Sequence, residues 1–119
     1  MKRTKALVSL VVFVLIVVVA NGGAATAQKG RAAAQAERGR AVYEAKCTRC
    51  HGADGAGRTR MAEIVEPPDM TDAAWQRRHS NARMIASVTN GLGQMPAFKK
   101  KLTRQEITAA IAYVRTLKR

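Results

Sequence analysis

Aromatic residues are scarce in this 119-residue sequence, with one Trp, two Tyr and two Phe making 4% of the chain. So few flat side chains leave little on which to stack bases, as a single-strand nucleic-acid binder requires. Acidic residues are scarce too, with 8 Asp+Glu against 21 Lys+Arg and a net charge of +13. Cysteine is confined to Cys47 and Cys50, so the second Cys/His pair of a structural zinc site is missing. Neither an alternating strand pattern nor an internal repeat occurs anywhere, which excludes a sheet or a repeat array and leaves an all-α domain. The length excludes a multidomain enzyme.

What is there begins with Lys2, Arg3 and Lys5, then the apolar stretch Ala6–Ala20, then Ala25-Thr26-Ala27. A positive start, an apolar core and a small-x-small site have the layout of a secretory signal, so residues 1–27 are expected to be a signal peptide cleaved after Ala27. The competing expectation is an uncleaved anchor, because the extended run approaches the roughly 20 residues that span a bilayer. Asn21, Gly22 and Gly23 interrupt the run where a membrane helix would continue. Either way the chain is expected to be exported, to the bacterial periplasm, soluble or anchored by its N-terminus. Cleavage would remove three of the cations and leave 92 residues carrying 18 Lys+Arg and 8 Asp+Glu, a net +10. Export argues against a nucleic-acid partner despite that charge. An acidic protein face or an anionic membrane surface fits it better, since a face of one sign steers association.

A domain this small buries little surface and usually needs a disulfide, a metal, a cofactor or a partner to be stable. Residues 28–36 read as a flexible lead-in, and residues 37–119 as the folded domain. Glu37–Lys46 places Gly39, Val42, Tyr43 and Lys46 at helical spacing on one packing face. A glycine inside a helix costs about 1 kcal/mol relative to alanine, so Gly39 implies close approach of another helix. Between Gly52 and Pro68 any regular structure is short, around Met61–Val65 at best. Thr71 or Asp72 caps a turn through Trp75. Ser80–Thr89 reads as a helix with Ala82, Ile85, Ala86 and Val88 or Thr89 inward, ended by Asn90-Gly91. Thr103-x-x-Glu106 is a capping box opening a last helix with the stripe Ile107, Ala110, Ile111, Val114 and Leu117. Its basic end, Arg115, Lys118 and Arg119, suits the negative pole of the helix dipole.

The chemistry lies in Cys47-Thr-Arg-Cys50-His51, the Cys-x-x-Cys-His signature of covalent c-type haem attachment. Two thiols three residues apart can add to the two vinyl arms of one porphyrin, and the adjacent imidazole then lies under the iron. A structural disulfide would close too small a loop to stabilise much. A redox dithiol of the thioredoxin kind normally comes with a βαβ pattern that is absent. For the sixth iron position the chain offers Met61, Met70, Met84, Met95 and His79. Met84 falls on a helix and reads as core. Met70 packs either way, and His79 lies among charges in Arg77-Arg78-His79-Ser80. Met95 sits in Asn90-Gly-Leu-Gly-Gln-Met-Pro-Ala-Phe98, where glycines let the backbone approach a flat cofactor and Pro96 stiffens it. Met95 is the expected ligand, and a thioether opposite histidine raises the potential, as an electron carrier needs.

On Cys47-Thr-Arg-Cys50-His51-Gly52, Met95-Pro96-Ala97-Phe98, Gly39-x-x-x-Tyr43 and Ala112-Tyr113, the sequence resembles the class I cytochrome c family, in particular small bacterial monohaem cytochromes c. The resemblance covers roughly residues 37–117. It implies the cytochrome c fold, with N- and C-terminal helices crossing at Gly39, Tyr43 paired with Tyr113, and short helices and loops wrapped around one covalent haem c and its iron. Cys47, Cys50, His51 and Met95 are then the cofactor-binding residues, with His51 and Met95 on the metal. The family also places a proline carbonyl on the proximal histidine's free N–H, with Pro67 or Pro68 the candidate, and often a tryptophan near the haem; Trp75 takes that role or a plain core one.

The function this implies is one-electron transfer between redox protein partners with acidic docking faces, not catalysis. Lys99, Lys100 and Lys101 either rim the haem edge or form a solvated turn. The alternatives are a haem subunit bound permanently to a dehydrogenase or oxidase complex, a peroxidatic or ligand-binding haem protein with Met95 displaced, and a thiol oxidoreductase using Cys47 and Cys50. Contact with a membrane is expected only through an uncleaved N-terminus or a membrane-bound redox partner.

Overall fold

A computed structural model describes residues 2–119, with side chains from residue 24 onward. Its elements are α1 (Lys2–Lys46), α2 (Thr48–His51), α3 (Ala62–Val65), α4 (Ala73–Arg78), α5 (Asn81–Asn90) and α6 (Arg104–Thr116). Among the described residues there is no strand, only an isolated bridge between Leu92 and Met95. The all-α expectation therefore holds. Contacts divide the chain into Met1–Ala33 and Ala34–Arg119, and the second unit contains Cys47, Cys50, His51 and Met95. The side chains of the apolar stretch expected as an export signal lie outside the described residues. Among the described residues no helix is long and apolar enough to cross a membrane. Helix α1 runs through residues 28–36, where the sequence suggests a flexible lead-in; Ala32, Ala33, Ala34 and Ala36 give that segment high helix propensity.

Gly39 and Tyr43 are the buried residues at the end of α1, while Lys46 stays exposed. A Cβ on Gly39 would stand 1.8 Å from the carbonyl oxygen of Ala109 and 2.8 Å from the nitrogen of Ala110, so α1 lies directly on the backbone of α6. That contact offsets the glycine's unfavourable propensity. It also buries Ala109, which the expected stripe on α6 omitted. One turn on, Tyr43 is completely buried and meets Tyr113 at 5.2 Å between ring centroids, tilted by 56°. Around it the core gathers Met70, Met84, Val88, Phe98, Leu102, Ile107, Ile111 and Val114.

Helix α6 starts as expected. Thr103 accepts from the Glu106 backbone N–H at 3.2 Å, and Glu106 accepts from the Thr103 N–H at 2.7 Å. Helix α5 is capped by Ser80 and turns Met84 and Val88 inward, with Ile85 half-buried. Ala82 and Ala86, expected inward, are exposed. The longer Met84 and Val88 side chains, four residues apart, bury more apolar area than two alanine methyls, and that difference sets the rotation of the helix.

Asp72, rather than Thr71, caps α4, and the helix extends to Arg78. Gln76 on α4 is a buried polar residue the sequence does not flag. Its amide donates to the carbonyls of Met70 and Val114 at 2.8 Å each, and its oxygen accepts from Arg115 at 3.1 Å. Arg115 also donates to the Gln76 carbonyl, to the Asn81 side chain and to the His79 carbonyl. Every polar atom of the Gln76 side chain is satisfied, as burial demands, and α4, α5 and α6 are joined at one point.

Three carboxyls, the half-buried Asp54 and the exposed Asp69 and Glu106, are held below the ordinary carboxylate range. Asp54 is lowered by the Ala56 N–H and by Arg58, Asp69 by the hydroxyl and N–H of Thr71, and Glu106 by the N–H and hydroxyl of Thr103. Depressed values mean the stabilisation is complete above the unfolded carboxylate range of about 4 and is lost as pH falls through the folded values. The melting temperature should hold between about pH 7 and 5 and drop below about 4; a flat profile to pH 2 would show that these bonds add nothing. Gly39→Ala should destabilise by about 3 kcal/mol or more, as overpacking does, whereas alanine at an open helical site would stabilise by about 1 kcal/mol. Urea midpoints decide the sign, and an unchanged midpoint would contradict the backbone contact.

Candidate functional site

The Cys47–His51 motif follows α1 directly, across a turn at Cys47. Cys47 N–H donates to Tyr43 C=O at 2.8 Å, His51 N–H to Cys47 C=O at 2.9 Å, and Gly52 N–H to Thr48 C=O at 2.9 Å. One helical turn therefore carries both thiols, with the imidazole following at once. The turn is clamped from beneath by the Tyr43 hydroxyl, which donates to Gly52 C=O at 2.7 Å, and from the side by Thr59, which donates to Cys50 C=O at 3.2 Å. Gly57 N–H closes the loop onto His51 C=O at 2.8 Å. Burial raises the Tyr43 phenol, keeping it the neutral donor this clamp needs.

Both cysteines are free and half-buried. Burial, then the neighbouring Cys50, pushes the Cys47 thiol up to about 11. Redox dithiols depend on a depressed thiol that is thiolate near neutrality, so Cys47 is tuned the other way. His51 is half-buried, and burial lowers its pKa, favouring the neutral imidazole that binds metal. Its Nδ1 is buried and has no hydrogen-bond partner. Pro67 is brought close, with its carbonyl oxygen 3.1 Å from where a Cβ on Gly57 would stand, but neither Pro67 nor Pro68 bonds the imidazole. The Pro67 carbonyl faces Gly57 instead.

Met95 is half-buried and packs against the same apolar cluster as Cys47. Its backbone is paired with Leu92, N–H to C=O in both directions at 3.1 and 3.0 Å. Of the other candidates for the sixth position, Met70 and Met84 are core residues of that same cluster, 7% and 6% exposed. Met61 is half-buried at the start of α3. His79 stacks on Trp75 with ring centroids 4.4 Å apart, its Nδ1 2.8 Å from the Trp75 carbonyl. Trp75 itself packs on the core, one of the two roles its sequence position allows. Lys99, Lys100 and Lys101 are exposed, with the Lys101 ammonium 5.8 Å from the centre of the Phe98 ring.

Two thiols on one turn, a neutral imidazole with an orphaned buried nitrogen, and a thioether on the same apolar cluster make a donor set that fits a covalent haem. The profile of a family described as cytochrome C oxidase, cbb3-type, subunit III matches residues 34–114. The chain is similar to the cbb3-type cytochrome c oxidase subunit CcoP of Azospirillum brasilense, 34% identical over 86 residues, which are 71% of this chain and 29% of that protein. It is also similar to cytochrome c6 of Leptolyngbya boryana, 35% identical over 81 residues, 68% of this chain and 91% of that protein. Among solved structures, KustC0563 c-type cytochrome superposes with a TM-score of 0.65 at 35% identity, covering 68% of this chain and 98% of that one. The chain spans about a third or less of the oxidase subunits it matches, from 27% to 34% of their length. With a family model matched over residues 34–114, a sequence that aligns with nearly all of a cytochrome c6 and a helical fold that superposes on a c-type cytochrome, this chain belongs to the class I c-type cytochromes, whose members carry covalent haem c with iron.

Proposed function

We propose that this protein is an exported one-electron carrier of the bacterial periplasm, with one haem held by Cys47 and Cys50 and axially ligated by His51 and Met95. The observation that carries the reading is the single hydrogen-bonded turn from Cys47 to Gly52, which presents both thiols and the imidazole together. Each thiol would add its S–H across a vinyl double bond, so the cofactor joins without loss of atoms. The bound haem supplies the one-electron couple, and a thioether opposite histidine raises its potential. The chain's own residues do the rest. Tyr43 and Thr59 fix the turn that aims His51, burial keeps the imidazole neutral, and the core around Met84, Val88 and Phe98 excludes water, which tunes the potential. With His51 and Met95 both holding the iron, no place would be left on it for a substrate.

The match to oxidase subunits over residues 34–114 supports a second reading, a haem subunit held in an oxidase complex. A permanent interface needs a broad apolar face, and among the described residues the exposed large hydrophobics are Ile64 and Leu92. That balance favours a carrier that binds its partners transiently. The raised Cys47 thiol disfavours the thiol oxidoreductase.

Expression with a cytochrome c maturation system, followed by mass and visible spectra, tests the proposal: one covalent haem, low-spin iron and loss of residues 1–27 are expected, while a colourless protein with a titratable dithiol would reject it. Met95→Ala should lower the potential and tighten imidazole binding by about a hundredfold as the sixth position opens; an unchanged spectrum would move that role to Met61 or His79. Raising ionic strength from about 0.01 M to 0.15 M shortens the Debye length from about 30 Å to about 8 Å. Electron transfer to an acidic partner should then slow by about tenfold or more, and a salt-independent rate would remove the basic surface from the docking step.

A further inference from the structure

We propose that Gly91 is the residue that positions the Met95 thioether, by letting the Met95–Ala97 backbone lie against the end of α5 where any side chain would displace it. The inference rests on Met95 as the sixth ligand and goes beyond it by naming what holds the sulfur in place. Gly91 ends α5 with φ +80° and ψ 162°, its N–H donating to Ser87 C=O at 2.8 Å. A Cβ there would stand 2.8 Å from the Met95 carbonyl oxygen, 3.0 Å from the Ala97 nitrogen and 3.3 Å from the Pro96 carbonyl carbon. These are main-chain atoms, so no rotamer change relieves the collision. The segment has little room to absorb it. Met95 is paired both ways with Leu92, and the exit of the loop is fastened to α5 by Phe98 N–H on Val88 C=O at 2.9 Å and Lys99 N–H on Thr89 C=O at 3.2 Å. Pro96 adds a fixed φ between the two attachments. A Cβ at Gly91 therefore drives the Met95 backbone away from α5 and carries the sulfur with it.

The same loop contains its own control. Gly93 also has a left-handed φ, +56°, but a Cβ there would meet nothing within 4 Å. Gly93→Ala thus imposes backbone strain without the collision.

The test uses the haem-loaded full chain and the variants Gly91→Ala, Gly93→Ala and Met95→Ala. The measurements are the thioether-to-ferric charge-transfer band, the midpoint potential, the imidazole dissociation constant and the melting temperature. Gly91→Ala should lose roughly half or more of the band, shift the potential downward and bind imidazole roughly tenfold more tightly, because the ligated state is no longer fully populated. Gly93→Ala should melt earlier but keep the band and the imidazole affinity. A normal band and affinity in Gly91→Ala, with the band lost in Met95→Ala, would overturn the role of Gly91 and leave Met95 as the ligand. A band that survives in Met95→Ala would overturn the ligand assignment, and this inference with it. Equal losses in the two glycine variants would assign the effect to strain and overturn the collision. Should Gly91→Ala fail to take up haem while Met95→Ala loads, Gly91 would be needed for folding rather than for placing the sulfur, since φ +80° with ψ 162° is a backbone region nearly reserved for glycine, and the positioning role would be overturned.

Discussion

The backbone contact between Gly39 and Ala109 is the constraint from which the rest of this domain is laid out. Where a Cβ would stand 1.8 Å from a carbonyl oxygen, two helices have come as close as main chains allow. That closeness seats Tyr43 against Tyr113 in full burial. Tyr43 then does two things for the Cys47–Gly52 turn. Its carbonyl accepts from the Cys47 N–H, and its hydroxyl donates to Gly52 C=O, so the turn is held at both ends by one residue whose position the helix contact has already set. The register of thiols and imidazole is thereby tied to the packing of α1 on α6.

A second fastening organises the opposite side. Gln76 and Arg115 replace apolar packing between α4, α5 and α6 with a satisfied polar junction that reaches Met70, Val114, His79 and Asn81. Buried hydrogen-bonded groups specify one arrangement more sharply than apolar contacts do, because a shifted alternative leaves partners unpaired. This junction holds α5, and α5 in turn carries the Met95 loop through Val88 and Thr89. The two sides of the candidate site thus depend on different interactions: an apolar helix contact beneath His51, and a polar junction plus a glycine contact beneath Met95.

Much of this is legible in the linear sequence wherever the signal is local. The Cys47–His51 spacing, the capping box at Thr103 and Glu106, the Ser80 start of α5 and the apolar stripe of α6 are patterns of residues three or four apart, and local geometry converts them directly into structure. Gly39 is legible for a related reason, since a helix-interior glycine is anomalous unless another backbone fills its space. Gln76 is invisible, because a glutamine on a short helix is ordinary until its partners arrive from 38 residues away. Ala82 and Ala86 read as inward yet face solvent, because periodicity alone does not choose between neighbouring faces of a helix with few large side chains.

The sequence by itself determined the helical class, the starts of α5 and α6, the Cys47–His51 turn and Met95 as the candidate thioether, because each rests on residues whose chemistry acts within one turn or one loop. Only the tertiary structure decided that His51 Nδ1 lies buried without a proline carbonyl, that burial raises the Cys47 thiol, and that Gly91 touches the Met95 backbone. Burial and through-space contact are properties of segments brought together by packing, and no spacing along the chain encodes them.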